Sequence, residues 1–251
     1  MRYGCRMMSQ DGQTMYTFDS RIRFSEVDVN KKLSTVGLID YFQDCSSFQS
    51  EDLGIGLDYM QERHIAWVIN YWQIRFLRRP LMGEAVRIGT QPYEFKGIMG
   101  LRNFMMETLD GERLAVANSV WSLLDMERMY PMRIPAELIE KYEVSDRLDM
   151  KYSPRKIAVP KEGGETLEAI QVRLHHLDTN QHMNNAQYVH FAMMYLPAGT
   201  EIEELRVEYR RQAVLGDRIT PVRYRTDEKM VLISMNADDG MPYAVAALTL
   251  R

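Results

Sequence analysis

Three side chains that can handle protons or donate hydrogen bonds alternate along one short stretch: Asp178, Asn180 and His182. An Asn184-Asn185 pair follows them and opens a run whose apolar residues recur at helical spacing. We expect one of these two asparagines to cap the helix, because an asparagine side chain accepts hydrogen bonds from first-turn N–H groups. The remaining N–H groups and the helix dipole favour chemistry in which negative charge develops beside them.

The whole chain has the composition of an ordinary globular protein. Its 251 residues are 45% hydrophobic and 26% charged, enough for one large domain or two smaller ones. The net charge of -4 argues against a general nucleic-acid binder. Cys5 and Cys45 are the only cysteines, which indicates neither a disulfide framework nor a cysteine-rich metal site and fits a reducing cytoplasm. We find no signal-peptide pattern and no apolar run of membrane-spanning length, so stable membrane insertion is not expected.

The chain contains an internal repeat. The stretch around Asp178 aligns without a gap with a stretch that lies 150 residues earlier. The matched pairs are Arg23 with Arg173, Asp28 with Asp178, Asn30 with Asn180, Leu33 with Met183 and Tyr41 with Phe191. A second set is offset by 133 residues: Phe76 with Tyr209, Arg78 with Arg211, Gly83 with Gly216 and Glu84 with Asp217. Such repetition indicates two similar structural units.

Each unit is predicted to be α+β, with one long helix and several antiparallel strands. In the first we expect strands at 17–27, 66–76, 85–93, 101–108 and 114–124 and a helix at 34–52. In the second we expect strands at 169–175, 205–212, 218–226, 231–237 and 243–250 and a helix at 185–196. A short helix is expected at 136–142, and a polar, Pro- and Gly-containing linker follows it. We therefore divide the chain into residues 1–146, a linker at 147–165, and residues 166–251.

The segment LDTNQHMNNAQY at 177–188 resembles the catalytic segment of acyl-acyl carrier protein thioesterases, in which Asp, Asn and His alternate ahead of Asn-Asn and a tyrosine. Further stretches are similar to that family in the same order: WVINYWQIRFLRRPLMGEAVRI, SVWSLLDMERMYPMRIP and VEYRRQAVLGD. The resemblance implies a tandem hot-dog fold, in which each unit wraps an antiparallel sheet around its central helix. It also implies hydrolysis of fatty acyl-acyl carrier protein to free fatty acid and holo carrier protein, which ends fatty acid elongation without a cofactor.

By the family pattern, Asp178, Asn180 and His182 are the expected catalytic set. A thioester has a good leaving group, so the demanding steps are activating a water and stabilising the oxyanion. We assign the water's proton to His182, because imidazole titrates close to cytosolic pH. Asn180 either donates to the carbonyl oxygen or holds the water, and Asp178 either orients His182 or shares the role of base.

One position departs from the plant-like members of the family. Those proteins carry Glu-Cys after Tyr-Arg-Arg on a later strand, whereas this chain has Gln212 and Ala213. Glutamine cannot act as a general base and alanine cannot act as a nucleophile, so any activity works without both functions. Gln212 keeps the ability to position a water by hydrogen bonding.

The first unit differs from the second at the histidine. It keeps Asp28 and Asn30 but has Lys32 at the position of His182, so it retains the capping chemistry and lacks the proton acceptor. We therefore expect the first unit to bind the acyl chain and the second to catalyse. Alternatives remain: a hot-dog thioesterase acting on acyl-coenzyme A, or a catalytically silent acyl-binding protein.

The expected partner is an acyl carrier protein that carries a fatty acyl chain. Carrier proteins are acidic, and residues 205–225 form a basic strip that is either a docking surface or an ordinary solvated strand face. Its arginines are Arg206, Arg210, Arg211, Arg218, Arg223 and Arg225. No metal is expected, because the adjacent His175 and His176 would point to opposite faces of a strand. The oligomeric state stays open, with a homodimer among the options.

Overall fold

A computed structural model describes residues 5–8, 14–197, 199–225 and 227–251. The chain divides into two compact units. The first comprises Met1–Asn70 and Phe76–Tyr152, and the second comprises Tyr71–Arg75 and Ser153–Arg251.

The first unit combines a sheet with helices. Its strands are β1 (Cys5–Met8), β2 (Thr14–Arg21), β3 (Ile65–Phe76), β4 (Ala85–Lys96), β5 (Met99–Thr108), β6 (Arg113–Asp125) and β7 (Tyr130–Pro131). Its α-helices are α1 (Thr35–Asp52), α2 (Leu57–Glu62) and α3 (Ala136–Ile139), and a short 3-10 helix covers Phe24–Glu26. The strands follow the order β1-β2-β4-β5-β6-β3, with β7 paired to β6. The pairs from β1 through β6 are antiparallel.

Helix α1 packs one face against β2 and β4, because its apolar residues recur every three or four positions. Ser34 caps this helix, and its side-chain oxygen accepts a hydrogen bond from the Gly37 N–H at 3.0 Å. Phe42 is fully buried, with its ring 5.3 Å from that of Phe104 on β5. Cys45 is a buried free thiol on the same helix.

The second unit has the same kind of architecture. Its strands are β8 (Glu165–Thr166), β9 (Ile170–Gln171), β10 (Ile202–Tyr209), β11 (Arg218–Arg225), β12 (Met230–Asn236) and β13 (Pro242–Leu250). Its helices are α4 (Asn185–Met194) and a 3-10 turn at Leu174–His176. The order β10-β13-β12-β11-β8 is antiparallel throughout, β9 also pairs with β11, and β10 pairs with Tyr71–Arg75. Helix α4 contacts β13 and buries the apolar face that starts at Ala186.

The two units share backbone geometry at the positions that the repeat aligns. Gly83 and Gly216 both have positive φ, 85° and 88°, a conformation that favours glycine. The N–H of Gly83 donates to the carbonyl of Ile22, and the N–H of Gly216 donates to the carbonyl of Val172. The two acceptors, Ile22 and Val172, are themselves offset by 150 residues. The internal repeat predicted from the sequence is therefore confirmed at the level of individual hydrogen bonds.

The two long helices predicted from the sequence are confirmed, with α4 ending at Met194 rather than at residue 196. The predicted strand at 169–175 is wrong beyond Gln171, because the N–H of His176 bonds back to the carbonyl of Arg173 and closes a 3-10 turn. The strand predicted at 17–27 likewise ends early, at Arg21. Helix α2 has no counterpart in the sequence prediction.

Two expectations reach residues that the structure does not describe. The strand predicted at 218–226 ends at Thr226, which lies outside the described residues. Residues 1–4 and 9–13, which belong to the stretch searched for a signal peptide, also lie outside them. In the part of the chain that is described, no helix combines the length and apolar character needed to cross a lipid bilayer.

Candidate active site

The turn from Asp178 to His182 is closed by short-range hydrogen bonds. The Asp178 N–H donates to the His182 carbonyl at 2.8 Å, and the Gln181 N–H donates to the Asp178 carbonyl at 3.1 Å. Gln181 has a φ of 63°, which lets the chain reverse direction within the turn. These contacts hold Asp178, Asn180 and His182 in one compact loop.

The side chain of Asp178 serves the backbone of this turn. Its Oδ1 accepts the Asn180 N–H at 2.8 Å and the His182 N–H at 3.2 Å. A carboxylate that accepts two backbone N–H groups stabilises the turn in the manner of an Asx motif. Asn180 itself is exposed, so its amide is open to solvent.

Helix α4 begins directly after the turn. Asn184 is its N-cap, and the side-chain oxygen accepts the Ala186 N–H at 2.8 Å. The Asn184 N–H donates to the His176 carbonyl at 2.8 Å, which ties the start of the helix to the preceding 3-10 turn. The sequence left the cap open between two asparagines, and the structure assigns it to Asn184. The positive end of the helix dipole thus lies beside the loop from Asp178 to His182.

The His182 side chain is half-buried, and its Nδ1 atom is buried without a hydrogen-bond partner among the described residues. By contrast, the Nδ1 of His176 accepts the Arg173 N–H at 3.0 Å. His176 and His175 lie in the 3-10 turn with ring centroids 4.1 Å apart, not on opposite faces of a strand as the sequence suggested. His182 thus differs from His176, whose Nδ1 is already engaged by the backbone.

A second segment lies against the loop. His182 and Val214 form an antiparallel bridge, and the Met183 N–H donates to the Ala213 carbonyl at 2.8 Å. Gln212 immediately precedes this paired segment and is exposed. The structure therefore brings the backbone next to Gln212 alongside His182, although the two residues are far apart in the sequence.

The first unit repeats this arrangement without the histidine. Asp28 Oδ1 accepts the Asn30 N–H at 2.8 Å and the Lys32 N–H at 3.1 Å, and Lys32 bridges Leu81. Lys31 has a φ of 61°, matching Gln181. The turn geometry is thus common to both units, and the residue presented at its end is what differs.

The structure also shows a buried tyrosine that the sequence argument did not single out. The hydroxyl oxygen of Tyr188 accepts the Ala213 N–H at 3.0 Å. A signal was present in the repeat, because the aligned positions in the first unit hold Leu38 and Pro80, which can form neither half of this bond. Comparing the units residue by residue would have identified the pair.

Most arginines of the predicted basic strip have partners within the second unit. Arg206 donates to the hydroxyl of Tyr71, and Arg210 pairs with Glu208 at 2.8 Å. Arg211 contacts Asp239 at 2.6 Å, and Arg223 contacts Glu165 at 2.6 Å. Arg218 and Arg225 lie at opposite ends of β11 and are both exposed. Strand alternation turns Arg218 away from the face that carries Arg223, so the strip is not one continuous surface.

The sequence matches one protein family over both units. The family model described as Acyl-ACP thioesterase N-terminal domain matches residues 13–142, and the one described as Acyl-ACP thioesterase C-terminal domain matches residues 160–243. The chain belongs to the acyl-ACP thioesterase family. The resemblance drawn from the catalytic segment is thereby confirmed.

Individual members of the thioesterase family are similar over most of the chain. The chloroplastic acyl-[acyl-carrier-protein] hydrolase FATB2 of Cuphea viscosissima is 26% identical over 229 residues, covering 84% of this chain and 55% of its own length. The chain spans about half the length of the curated relatives it matches first.

Solved structures of the family share the fold. An acyl-ACP thioesterase from Bacteroides thetaiotaomicron gives a TM-score of 0.85 at 17% identity, covering 94% of this chain and 98% of its own. The 12:0-ACP thioesterase from Umbellularia californica gives 0.84 at 18% identity, covering 94% and 97%. The α+β, tandem hot-dog fold predicted from the sequence is confirmed.

Proposed function

We propose that this protein hydrolyses the thioester of fatty acyl-acyl carrier protein, releasing free fatty acid and holo carrier protein. The observation that carries the proposal is the state of His182, whose Nδ1 is buried without a hydrogen-bond partner among the described residues. An unpaired buried polar atom costs about 1–3 kcal/mol, and a water or substrate bound at the site would offset that cost. Family membership supplies the thioester as the bond to be cleaved.

The proposed reaction uses groups of the second unit. His182 takes a proton from a water, and the resulting hydroxide attacks the thioester carbonyl carbon. The oxyanion that forms is stabilised by the amide of Asn180 and by the N-terminal end of α4. Collapse of the tetrahedral intermediate breaks the C–S bond, and the proton held by His182 goes to the departing thiolate. Gln212 helps to hold the water, and Asp178 acts by shaping the turn.

The two units have different proposed roles. The first, at residues 1–146, binds the acyl chain, because Lys32 stands at the position of His182 and leaves its turn without an imidazole. The second, at 166–251, catalyses, and residues 147–165 link them. Support for this division comes from the shared turn geometry, which keeps the fold of the motif in both units while the histidine occurs in one.

The proposed partner is acyl carrier protein, and the proposed compartment is the cytoplasm. The carrier follows from the names of the matched family and relatives. The compartment is supported by the low cysteine content and by Cys45, a buried free thiol.

The experiment that tests the function offers carrier-linked and coenzyme A-linked acyl chains of several lengths and measures free thiol release. We expect release from carrier-linked substrates. His182→Ala should lower kcat by roughly 100-fold or more, the size of a typical general-base contribution. His190→Ala, which removes an exposed imidazole from α4, is the matched control and should leave kcat unchanged.

Each other result has a defined meaning. Faster release from coenzyme A thioesters would make the protein an acyl-coenzyme A thioesterase, and no release from any thioester would make it an acyl-binding protein. Lys32→Ala tests the division between units, and it should leave kcat within about twofold of the unmodified protein because Lys32 is assigned no proton transfer. A loss equal to that of His182→Ala would contradict the division.

A further inference from the structure

Tyr188 and Ala213 form a buried hydrogen bond beside the catalytic loop. Tyr188 lies on α4 with 2% of its surface exposed, Ala213 is fully buried, and the Ala213 N–H reaches the tyrosine oxygen at 3.0 Å. Burial raises the pKa of Tyr188, so the hydroxyl stays neutral while it accepts this bond. The contact joins residues 25 positions apart in the chain.

Both polar backbone groups of Ala213 are occupied. Its N–H donates to Tyr188, and its carbonyl accepts the Met183 N–H at 2.8 Å. Met183 directly follows His182, and Gln212 directly precedes Ala213. The segment that presents Gln212 is therefore held from one side by α4 and from the other by the loop that presents His182.

The ring of Tyr188 is itself held in place. Its centroid lies 5.7 Å from that of Tyr209 at an interplanar angle of 74°, and the Tyr209 hydroxyl donates to the carbonyl of Asn185 at 3.0 Å. Two tyrosines thus connect the first turns of α4 with the end of β10 and the residues after it. A side chain packed in this way has little freedom to release Ala213.

The first unit shows that the fold of this motif does not need the bond. There the Leu33 N–H donates to the Pro80 carbonyl at 2.9 Å, matching Met183 and Ala213. Pro80 has no N–H and Leu38 has no hydroxyl, so the second contact is missing. Leu38 and Pro80 instead lie together in the lining of a small surface depression. The hydrogen bond occurs in the unit that carries the histidine and is absent from the unit that carries Lys32.

We propose that Tyr188 is a positioning residue for thioester hydrolysis, which fixes Gln212 relative to His182 by holding the Ala213 N–H. The inference rests on the proposed function and adds to it a residue that acts through others. With the bond in place, Gln212 and His182 approach the same water in one geometry. Without it, Ala213 loses its contact with α4. The segment 212–214 is then held by its pairing with the loop that presents His182 and by the hydrogen bonds between Val214 and Asp217, so Gln212 samples other positions.

The test compares two single hydroxyl deletions in the full chain. Tyr188→Phe removes the acceptor of the Ala213 N–H and keeps the ring. Tyr195→Phe is the control, because it removes a tyrosine hydroxyl that donates to the Glu168 carbonyl at 2.9 Å at the other end of α4. We expect Tyr188→Phe to lower kcat per folded molecule about tenfold with KM unchanged, and Tyr195→Phe to keep the unmodified kcat.

A second variant guards against a folding failure of the first. Tyr188→Leu combined with Ala213→Pro installs the pair that the first unit carries at the same positions, so the backbone geometry accommodates it. It should fold, as judged by circular dichroism and thermal unfolding, and should lose at least as much kcat as Tyr188→Phe.

The outcomes separate the positioning role from the function itself. If the unmodified protein releases thiol and both Tyr188 variants stay within twofold of its kcat, the positioning role is overturned and the proposed function stands. If the kcat loss is matched by an equal loss with Tyr195→Phe, the effect belongs to helix stability and the positioning role is again overturned. Absence of turnover by the unmodified protein overturns both.

Discussion

The Oδ1 atom of Asp178 accepts the backbone N–H of His182 at 3.2 Å, and Asp28 accepts that of Lys32 at 3.1 Å. The same carboxylate contact therefore forms whether a histidine or a lysine follows. Asp178 also accepts the Asn180 N–H at 2.8 Å, as Asp28 does with Asn30. This symmetry favours a turn-shaping role for Asp178, since its counterpart does the same work in a unit without the histidine.

Replacing Asp178 separates a turn-shaping role from a base role. Asp178→Asn keeps an oxygen that can accept both N–H groups, so kcat should stay within about tenfold of the unmodified protein. Asp178→Ala removes the acceptor and should cost more activity together with a lower Tm, because two turn N–H groups lose their partner. Asp28→Ala is the matched control and should lower Tm with a smaller effect on kcat. Equal inactivity of the Asn and Ala variants would instead identify the carboxylate as a base.

His176 predicts a pH dependence of stability. Burial, aided by the positive charges of His175, His190 and Arg173, lowers the pKa of His176. The unfolded chain therefore binds a proton at this residue near pH 6.5 while the folded chain does not. The resulting stability is present above about pH 6.5 and is lost as the pH falls toward the lowered pKa of the folded state. Thermal unfolding between pH 7.5 and 5 should show a falling Tm.

The first unit supplies the control for this titration. Glu26 occupies the aligned position, and its carboxylate accepts the Arg23 N–H at 2.8 Å, as His176 does with Arg173. A glutamate remains an acceptor down to about pH 4.3. The Tm of the His176→Glu variant should therefore fall less between pH 7.5 and 5 than the Tm of the unmodified protein. Parallel Tm curves for the two proteins would show that His176 does not set the dependence.

Gln212 is expected to help hold the attacking water without being essential for hydrolysis. It is exposed and neutral, so Gln212→Ala should reduce kcat by up to about tenfold, the cost of one neutral hydrogen bond to a water. Gln212→Glu is not required for activity. The control is Gln171→Ala, which removes an exposed glutamine from β9. If the unmodified protein releases no thiol and the Gln212→Glu variant does, the water-holding role of Gln212 is contradicted.

Arg218 and Arg223 are expected to behave differently when their charges are reversed. Arg218→Glu places a negative charge at an exposed position and should raise KM several-fold for carrier-linked substrate, more so at low salt, without changing turnover of a short thioester. Arg223→Glu breaks contacts with Glu165 and with the Tyr195 carbonyl at 3.0 Å, so it should lower Tm by a few degrees. An unchanged KM with Arg218→Glu would show that this end of β11 does not contact the carrier protein.

The sequence by itself determined the features that depend on neighbouring residues. The turn from Asp178 to His182 closes on hydrogen bonds that span four residues or fewer, and Asn184 caps the helix that follows it. Residue types at fixed spacing are enough for such contacts, and the repeat offset of 150 carried the prediction to Asp28. Where local bonding competed with strand pairing, as at Leu174–His176, alternation of side chains gave the wrong element.

Tertiary structure decided which distant groups meet. Three sets of contacts join segments that are far apart in the chain. They are the bridge between His182 and Val214, the hydrogen bond between Ala213 and Tyr188, and the contacts of Arg223 with Glu165 and Tyr195. Each depends on the register in which strands and loops pair, and a shift of one residue would reverse which side chains face each other. The register cannot be predicted from the residues of one segment alone, because it depends on the segment that pairs with it. The conformation of the loop from Asp178 to His182 thus depends on a few consecutive residues, whereas tertiary packing determines which groups hold that loop in position.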